Sequence, residues 1–255
     1  MLITLLGTAT SQGIPVIGCD CEACTSSDLH DNRLRCSALI SHKGTNVIID
    51  VGPDFRQQML RAGVNKLDAV VITHEHNDHI IGLDDLRPFI FRNRKPMRIY
   101  AEARVITEIR KRFDYAFLEH SYPGAPSFEL IGIEPDQKIQ IDDIELLPLR
   151  VHHGNLPILG FKIGKLGYFT DTNFIPEHTA KQLYDLDYLI IDALRNKPHH
   201  SHNTIEEAIE KINAIKPNKG GYLIHMSHLL GPVQKWSKSL PPTIYPAYDG
   251  IQFEL

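Results

Sequence analysis

Three histidines and an aspartate within six residues, at His74, His76, Asp78 and His79, constrain this 255-residue chain more than any other feature. The motif H-x-H-x-D-H directly follows the apolar run 67–72, which predicts a short buried strand. Imidazole nitrogens and carboxylate oxygens are ligands that zinc, manganese and iron accept. The alternative is an exposed histidine-rich loop, but such dense clusters rarely arise without a metal. The motif therefore predicts a metal centre at the end of a strand.

Composition is that of an ordinary soluble globular protein and argues against several classes. Hydrophobic residues make up 42% and charged residues 23% of the chain, which leaves ample apolar surface for a core. The formal net charge of −4 gives no basic footprint for nucleic acid. No apolar run approaches the length of a membrane span, and Met1–Leu6 lacks the basic flank of a signal peptide. We therefore expect a cytoplasmic protein without a membrane partner.

Strand-like apolar runs recur along the chain, and helical periodicity appears between some of them at 54–62, 84–91, 102–113, 176–183 and 204–215. In the clearest helix, 204–215, Thr204 and Glu207 fit a capping box. Strand clusters recur in both halves, which predicts an α/β fold with two mixed sheets packed face to face and helices outside. The stretch Ser121–Ser127 predicts a surface loop within one domain that spans residues 1–255.

Further ligand types stand where later apolar strands end. His152 and His153 follow the run 145–151, Asp171 follows 168–169, and His225 follows 222–224. A lone polar residue in such a place is more often a solvated turn residue. Together with H-x-H-x-D-H, these residues complete a ligand set. Because adjacent residues of an extended segment point to opposite sides, only one of His152 and His153 should be a ligand.

A second metal site is indicated by Cys19, Cys21 and Cys24, which form the pattern C-x-C-x-x-C. In an intracellular protein, such clustering favours a metal over disulfides. Structural zinc takes four ligands, and His228 is the candidate for the fourth. The alternative is three reduced, buried cysteines without metal. Cys36 is interpreted as a small buried residue.

With these motifs the chain resembles the metallo-β-lactamase fold superfamily and, within it, the PhnP-like cyclic phosphodiesterases of phosphonate breakdown, which act on phosphoribosyl cyclic phosphates. The matching segments are Gly7–Pro15, Gly18–Cys24, Ile49-Asp50, Thr73–Leu83, the later His and Asp segments, and Asp249-Gly250. The H-x-H-x-D-H motif is typical of the superfamily, whereas the cysteine cluster points to this subgroup. The resemblance implies a four-layer αβ/βα sandwich with a dinuclear site at one edge of the two sheets.

The resemblance also implies the ligands of two catalytic ions, zinc or manganese, and of one structural zinc. It assigns His74, His76 and His153 to one ion, Asp78, His79 and His225 to the other, Asp171 to the bridge between them, and Cys19, Cys21, Cys24 and His228 to the structural zinc. His153 is preferred over His152 because its spacing to the following strand matches the family. Asp50 is expected to orient a ligand histidine.

The family carries a general-acid histidine in the region that corresponds to His199, His200 and His202. The segment directly precedes the helix at Thr204, whose free amides favour a phosphate, and a histidine there can protonate a leaving alkoxide. We favour His202, with His200 second, and the choice among the three stays open. We expect Asp78 to take part in catalysis as well as in metal binding.

Two arginines are candidates for contact with a substrate phosphate. Arg87 follows the histidine loop and Arg195 precedes the histidine cluster, and either could hold a phosphate by bidentate contact. More often an arginine in such a place is a surface or ion-pair residue.

Charge favours an anionic substrate. Two divalent ions carry a charge of +4, and Asp78, Asp171 and a bridging hydroxide together carry −3. The net charge of the site is therefore about +1, which matches a phosphodiester monoanion. We therefore expect a metal-dependent phosphodiesterase for small cyclic or nucleotide-like phosphodiesters such as phosphoribosyl cyclic phosphate. A metal-bound hydroxide would attack, and a histidine would protonate the leaving oxygen.

Two other functions compete with this interpretation. One is a thioester or lactone hydrolase on the same site, and the other is a zinc-holding scaffold without turnover. The chain lacks a long basic insertion, which argues against tRNA processing and against nucleic acid as a partner. The resemblance is also compatible with a homodimer.

Overall fold

Two mixed sheets of seven strands each form the frame of the molecule in the computed structural model, which describes residues 1–118 and 122–255. The first half of the chain contributes β1 (Leu2–Gly7), β2 (Ser37–His42), β3 (Thr45–Ile49), β4 (Ala69–Val71), β5 (Met97–Ala101) and β6 (Phe128–Gly132). The second half contributes β7 (Ile139–Ile141), β8 (Ile144–His153), β9 (Leu156–Ile163), β10 (Leu166–Phe169), β11 (Tyr188–Asp192), β12 (Gly220–Ile224) and β13 (Ile244–Pro246). The last strand, β14 (Gln252–Glu254), returns to the first sheet beside β1.

The two sheets repeat one pattern of strand directions. Their orders are β14-β1-β2-β3-β4-β5-β6 and β13-β12-β11-β10-β9-β8-β7. In the first sheet β1, β2 and β3 pair antiparallel and β3 to β6 pair parallel, and in the second sheet β7 to β10 pair antiparallel and β10 to β13 parallel. The parallel part of each sheet needs crossover connections, and its strands end at a common edge.

Most crossovers are helical. They contain the α-helices α1 (Phe55–Arg61), α2 (Asn77–Ile80), α3 (Arg87–Asn93), α4 (Ala103–Arg112), α5 (Glu177–Lys181), α6 (Ile205–Ile215) and α7 (Val233–Trp236). Short 3-10 helices lie at Leu29–Asp31, Ile81–Leu86, Asp114–Phe117, His228–Leu230 and Ser237–Ser239. No helix of the described residues is long and apolar enough to cross a membrane.

Three apolar clusters separate four layers. Alternate residues of β3, Val47 and Ile49, enter a central cluster with Phe161 and Tyr168 of the second sheet, whereas Ile48 faces α1, α3 and α4. On the far side of the second sheet, residues such as Ile191 pack against α6 and against Leu183 and Leu186, which follow α5. The period of two along each strand therefore buries both faces of both sheets. The expected αβ/βα sandwich of the α/β class is confirmed.

The elements agree with the sequence where the pattern is strong. The helix expected at 204–215 is α6, and Thr204 and Glu207 make both bonds of the capping box. The helix expected at 84–91 is instead a 3-10 turn followed by α3. The strand β6 was not predicted, because its half-exposed residues at the sheet edge lack a buried run. Of the loop expected at 121–127, Ser121 lies outside the described residues, and the single-domain interpretation stays a prediction.

Candidate metal centre

The predicted site residues meet at the edge where parallel strands of both sheets end. The H-x-H-x-D-H loop follows β4, His153 ends β8, Asp171 follows β10 by two residues, and His225 directly follows β12. Asp50, Asp171 and His225 have positive φ angles of 62°, 54° and 57°. This conformation costs a non-glycine residue about 1–3 kcal/mol and persists only where the surroundings impose it. The backbone therefore turns sharply at three buried positions of the site.

Two glycines allow the H-x-H-x-D-H loop to approach the segment after β3. A Cβ atom on Gly52 would lie 2.0 Å from the carbonyl oxygen of Asp78, and one on Gly82 would lie 2.1 Å from that of Gly52. A hydrogen bond of 2.7 Å from the amide of Val51 to the carbonyl of His79 stabilises the contact. It brings Asp50 under the imidazole of His79.

A carboxylate-rich cluster is formed by Asp78, His79, Asp171 and His225, whose nearest donor atoms all lie within 4.8 Å of one another. Nε2 of His79 lies 3.3 Å from Asp78 and 3.3 Å from Asp171, and Nε2 of His225 lies 3.0 Å from Asp171. These are the residues predicted to hold the second catalytic ion.

A histidine-rich cluster lies beside it. The ring centroids of His74 and His76 are 4.5 Å apart, and His153 lies 5.7 Å and 5.2 Å from them. Asp171 offers an oxygen within 4.8 Å of a His153 donor and so lies between the two clusters. The ring of His152 packs instead against Phe174, as the alternation along β8 predicts.

Unsatisfied nitrogens test whether these residues fit a metal. Nε2 of His74 is buried and has no hydrogen-bond partner among the described residues. Nε2 of His79 and Nε2 of His225 are buried too, and although carboxylate oxygens lie 3.0–3.3 Å away, neither nitrogen makes a well-aligned hydrogen bond there. Each such atom costs about 1–3 kcal/mol. Nδ1 of His79 is held by Asp50 at 2.7 Å, which fixes the ring with Nε2 towards the carboxylates. Imidazole nitrogens and carboxylates that converge on one space fit divalent ions.

Protonation equilibria favour the same interpretation. Burial lowers the pKa of His74 well below its ordinary value, so its ring is a neutral ligand at pH 7. Burial opposes a charge on His79, but Asp171, Asp78 and Asp50 outweigh it and raise the pKa of His79 well above the ordinary value. The carboxylates thus attract a cation to this point, where a metal ion would displace the proton.

His202 lies over both clusters. Its Nδ1 is 2.8 Å from Asp192, and its ring stacks on that of His225 at 4.6 Å and lies 4.5 Å from that of His153. Burial and the charge of His225 lower the pKa of His202 to about 3, whereas Asp171 and Asp78 raise it. His202 also has a donor within 4.8 Å of donors on His153 and Asp171, so it is a further ligand candidate.

Asp192 was not predicted from the sequence. It ends β11, is fully buried, and holds His202 while its other oxygen lies 3.6 Å from Nδ1 of His225. The signal was present, because Asp192 follows the apolar run 188–191 as the other site residues follow theirs.

The other two histidines of this segment lie further out. The ring of His200 is exposed and packs against His199 at 4.3 Å, and that of His199 lies 5.0 Å from His202. Neither ring pairs with a ring of the two clusters in the described part of the chain as His202 does. A general-acid role for His200 stays a prediction without this geometric support.

Both predicted phosphate-binding arginines already have partners. Arg87 forms an ion pair of 2.5 Å with Asp84, and Arg195 donates to the carbonyls of Lys197 and Pro198 at 3.1 Å and 3.0 Å. Arg195 therefore stabilises the backbone conformation of the segment that leads to His199, His200 and His202. Substrate contact by either arginine stays a prediction.

The cysteine cluster assembles as predicted. Cys19, Cys21, Cys24 and His228 place their donors within 4.8 Å of one another, with Nδ1 of His228 3.3 Å from the sulfurs of Cys19 and Cys21. All the cysteines are free thiols, and Cys36 is buried. Burial opposes ionisation of Cys21, but hydrogen bonds from the Cys24 amide and from His228 lower its pKa to about 6. A donor set of three sulfurs and one imidazole fits tetrahedral zinc.

Comparisons with known proteins agree with this geometry. The family model "Beta-lactamase superfamily domain" matches residues 45–226. The crystal structure of a new diphosphatase from the PhnP family is 38% identical and superposes with a TM-score of 0.91, over 99% of this chain and 96% of that one.

Two curated relatives extend the comparison. An octanoyltransferase of Porphyromonas gingivalis is 44% identical over 99% of this chain and 51% of its own length. A ribonuclease Z of Methanosarcina acetivorans is 28% identical over 52% of this chain and 43% of its own length. The chain thus spans about half the length of the curated relatives that it matches.

Proposed function

This chain belongs to the metallo-β-lactamase superfamily of metal-dependent hydrolases and, within it, to the PhnP family, and from that premise we propose that it hydrolyses small phosphodiesters. Its substrates are cyclic or nucleotide-like, such as phosphoribosyl cyclic phosphate. The similarity to a diphosphatase and to a ribonuclease, both named for the cleavage of phosphate linkages, supports the proposal. The net charge of −4 favours a small substrate over a nucleic acid.

Two catalytic ions, zinc or manganese, complete the site in this proposal. His74, His76 and His153 hold one ion, Asp78, His79 and His225 hold the other, and Asp171 serves both. When bound, the ions supply Lewis-acid activation of a water molecule and of the phosphoryl group. A third ion, zinc, is held by Cys19, Cys21, Cys24 and His228. Because His228 lies three residues after His225, this zinc fixes the N-terminal loop next to the segment that carries a catalytic ligand.

The observation that carries the proposal is the place of His202 over both clusters, with Asp192 behind it. Asp192 holds Nδ1, so the opposite ring nitrogen is the one that delivers a proton. An alkoxide is a poor leaving group and needs that proton, whereas a thiolate with a pKa of about 8.5 departs without it. A bound phosphodiester anion favours the charged ring and raises its pKa from about 3 towards the working range.

Hydrolysis of a thioester or lactone is the second candidate. The observation that favours it is the 44% identical relative named octanoyltransferase, since that name denotes acyl transfer. The named protein is about twice as long as the matching segment, so its activity need not reside in the part that this chain matches.

A substrate panel separates the two candidates. The metal-free protein is loaded with Mn²⁺ or Zn²⁺ and assayed on ribose cyclic phosphates, cyclic nucleotides, bis(p-nitrophenyl) phosphate, an acyl thioester and a lactone. Turnover of the phosphodiesters that is lost in His79→Ala supports the proposal. Turnover of the thioester or lactone without any phosphodiesterase activity would overturn it in favour of acyl hydrolysis.

A further inference from the structure

The three-histidine cluster draws its members from both sheets. His74 and His76 follow β4 of the first sheet, whereas His153 ends β8 of the second sheet. A metal ion held by all three therefore depends on the distance between the ends of two sheets, which a backbone hydrogen bond of 3.1 Å from Leu159 on β9 to the carbonyl of Thr73 already joins at one point. A rigid connection between those ends would set that distance.

Helix α4 provides such a connection. At its N-terminus, Glu102 forms a two-pronged ion pair with Arg150 of β8, one contact of which measures 2.9 Å. Two residues further on, Arg104 pairs with Glu75 of the H-x-H-x-D-H loop through one guanidinium nitrogen. Its second nitrogen donates to the carbonyl of Pro157 on β9 at 2.7 Å. One planar side chain thus joins the histidine loop to the hairpin that carries His153.

Glu75 depends on this contact. It lies between His74 and His76 in sequence, and its side chain is only 14% exposed. One oxygen pairs with Arg104, and the other is buried without a hydrogen-bond partner among the described residues. A carboxylate so placed is costly unless its charge is compensated. Loss of Arg104 would leave that charge unpaired next to two predicted metal ligands.

A second arginine, Arg112 at the C-terminal end of α4, contacts the same loop. Arg112 donates to the carbonyl of Glu75 at 2.6 Å and to the side chain of Asn77 at 2.9 Å. These contacts reach only the first sheet. Arg112 therefore fixes the loop on α4, whereas Arg104 also spans the gap to the second sheet.

We propose that Arg104, through Glu75 and Pro157, is a positioning residue that sets the spacing of His74 and His76 relative to His153 and so determines metal affinity at the three-histidine cluster. The inference rests on the proposed dinuclear centre and adds a residue outside its ligand set. The carboxylate-rich cluster is supported separately, by Asp50 behind His79 and Asp192 near His225. The effect of Arg104 is therefore confined to one of the two ions.

Titration of the metal-free protein with Mn²⁺ by calorimetry tests the inference without an activity assay. Thiolates are poor ligands for Mn²⁺, so the two catalytic ions dominate the signal. In Arg104→Ala we expect one binding event to weaken about 10- to 100-fold, the range found when a residue that orients a ligand is lost. The other event stays at its wild-type affinity. Arg104→Lys keeps the charge but cannot make both contacts, so it weakens the same event.

Arg98→Ala is the matched control. Arg98 also forms an ion pair, with Asp142, through two guanidinium nitrogens at 3.3 Å and 2.6 Å. It lies near the start of β5, opposite Ala69 at the start of β4, whereas the H-x-H-x-D-H loop follows the end of β4. We expect this variant to bind both ions as the wild type does. Glu75→Gln keeps the size of the side chain and should weaken the same event as Arg104→Lys, so the inference stays testable if Arg104→Ala fails to fold.

The outcomes separate this inference from the function it rests on. A wild-type protein that binds two ions, with both events unchanged in Arg104→Lys and Glu75→Gln, would overturn the positioning role alone. Equal weakening of both events, or the same weakening in Arg98→Ala, would show a general loss of structure and also overturn it. A wild-type protein that binds fewer than two Mn²⁺ ions would overturn the proposed centre and the inference together.

Discussion

The carboxylate of Asp192 holds Nδ1 of His202 at 2.8 Å. Its second oxygen lies 3.6 Å from Nδ1 of His225, so one fully buried side chain faces both the proposed proton donor and a proposed metal ligand. This arrangement orients His202 by a bond that leaves its other nitrogen available. It also means that the two histidines respond differently to substitution, since only His202 lies outside the proposed ligand set.

Replacement of His202 should impair catalysis and spare metal binding. For His202→Asn we expect kcat on an alkyl phosphodiester to fall about 10²- to 10⁴-fold, the usual contribution of a general acid. On bis(p-nitrophenyl) phosphate the fall should be much smaller, because nitrophenolate leaves without a proton. Steady-state kinetics on both substrates, with metal content measured on the same samples, checks this.

His200→Asn is the control for that comparison. Its ring is exposed, and we expect kcat within about twofold of the wild type, as for most surface substitutions. An equal fall on both substrates in His202→Asn, accompanied by loss of an ion, would instead identify His202 as a metal ligand.

The metal content should be about three ions per chain, two at the strand ends and one at the cysteine cluster. For Cys21→Ala we expect the loss of one zinc, because a site left with two sulfurs and one imidazole no longer closes a tetrahedron. For His79→Ala we expect the loss of a different ion, with the zinc retained. Elemental analysis of the three purified proteins distinguishes these results, and two ions in the wild type would contradict the third site.

The pH dependence of thiol reactivity tests the electrostatics of the cysteine cluster. The pKa of Cys21 is lowered from 9.0 to about 6, whereas burial raises that of Cys24 to about 11. The Cys21 thiolate is thus present above pH 6 and is lost as the pH falls through 6. In metal-free protein we expect Cys21 to alkylate with a midpoint near pH 6, while Cys24 stays unreactive to pH 9.

The control variant for this measurement is His228→Ala. A hydrogen bond from His228 is one cause of the lowered pKa, so its removal should move the Cys21 midpoint to higher pH. Rates of iodoacetamide labelling, resolved by mass spectrometry of the peptides, give both midpoints. A Cys21 midpoint that is the same with and without His228 would contradict the geometry.

How far the sequence determined these results depends on the kind of signal. His74, His76 and Asp78 could be recognised because they lie together in one motif, and α6 because Thr204 and Glu207 cap it locally. Asp192 carried only the weaker signal of a polar residue at the end of an apolar run, since its partner His202 is brought to it only by the fold.

Contacts that only the fold creates also decide whether the predicted phosphate-binding arginines are available. Whether Arg87 or Arg195 is free for a substrate depends on whether Asp84 or the carbonyls of the histidine segment occupy it, and that is a matter of side-chain geometry. The contact of Arg104 with Glu75 joins residues 29 positions apart in sequence, so no local pattern could reveal it.

The close approach at Gly52 gives a final prediction that concerns stability and metal binding together. For Gly52→Ala we expect the free energy of unfolding of the metal-free protein to fall by about 1–3 kcal/mol, because the new methyl group would lie 2.0 Å from the Asp78 carbonyl. Relief of that clash moves α2, which carries Asp78 and His79, so Mn²⁺ affinity should fall as well.

Gly132→Ala is the matched control for that substitution. Gly132 ends β6, and a Cβ there meets no atom of the described residues within 4 Å, so its stability should change by no more than about 0.5 kcal/mol. Denaturant unfolding and Mn²⁺ titration of both variants check the prediction. A Gly52→Ala protein as stable as Gly132→Ala, with wild-type Mn²⁺ affinity, would show that the loop after β3 does not hold the H-x-H-x-D-H segment in place. Loss of Mn²⁺ affinity in Gly52→Ala alone would tie the position of the ligands Asp78 and His79 to this contact between two backbones.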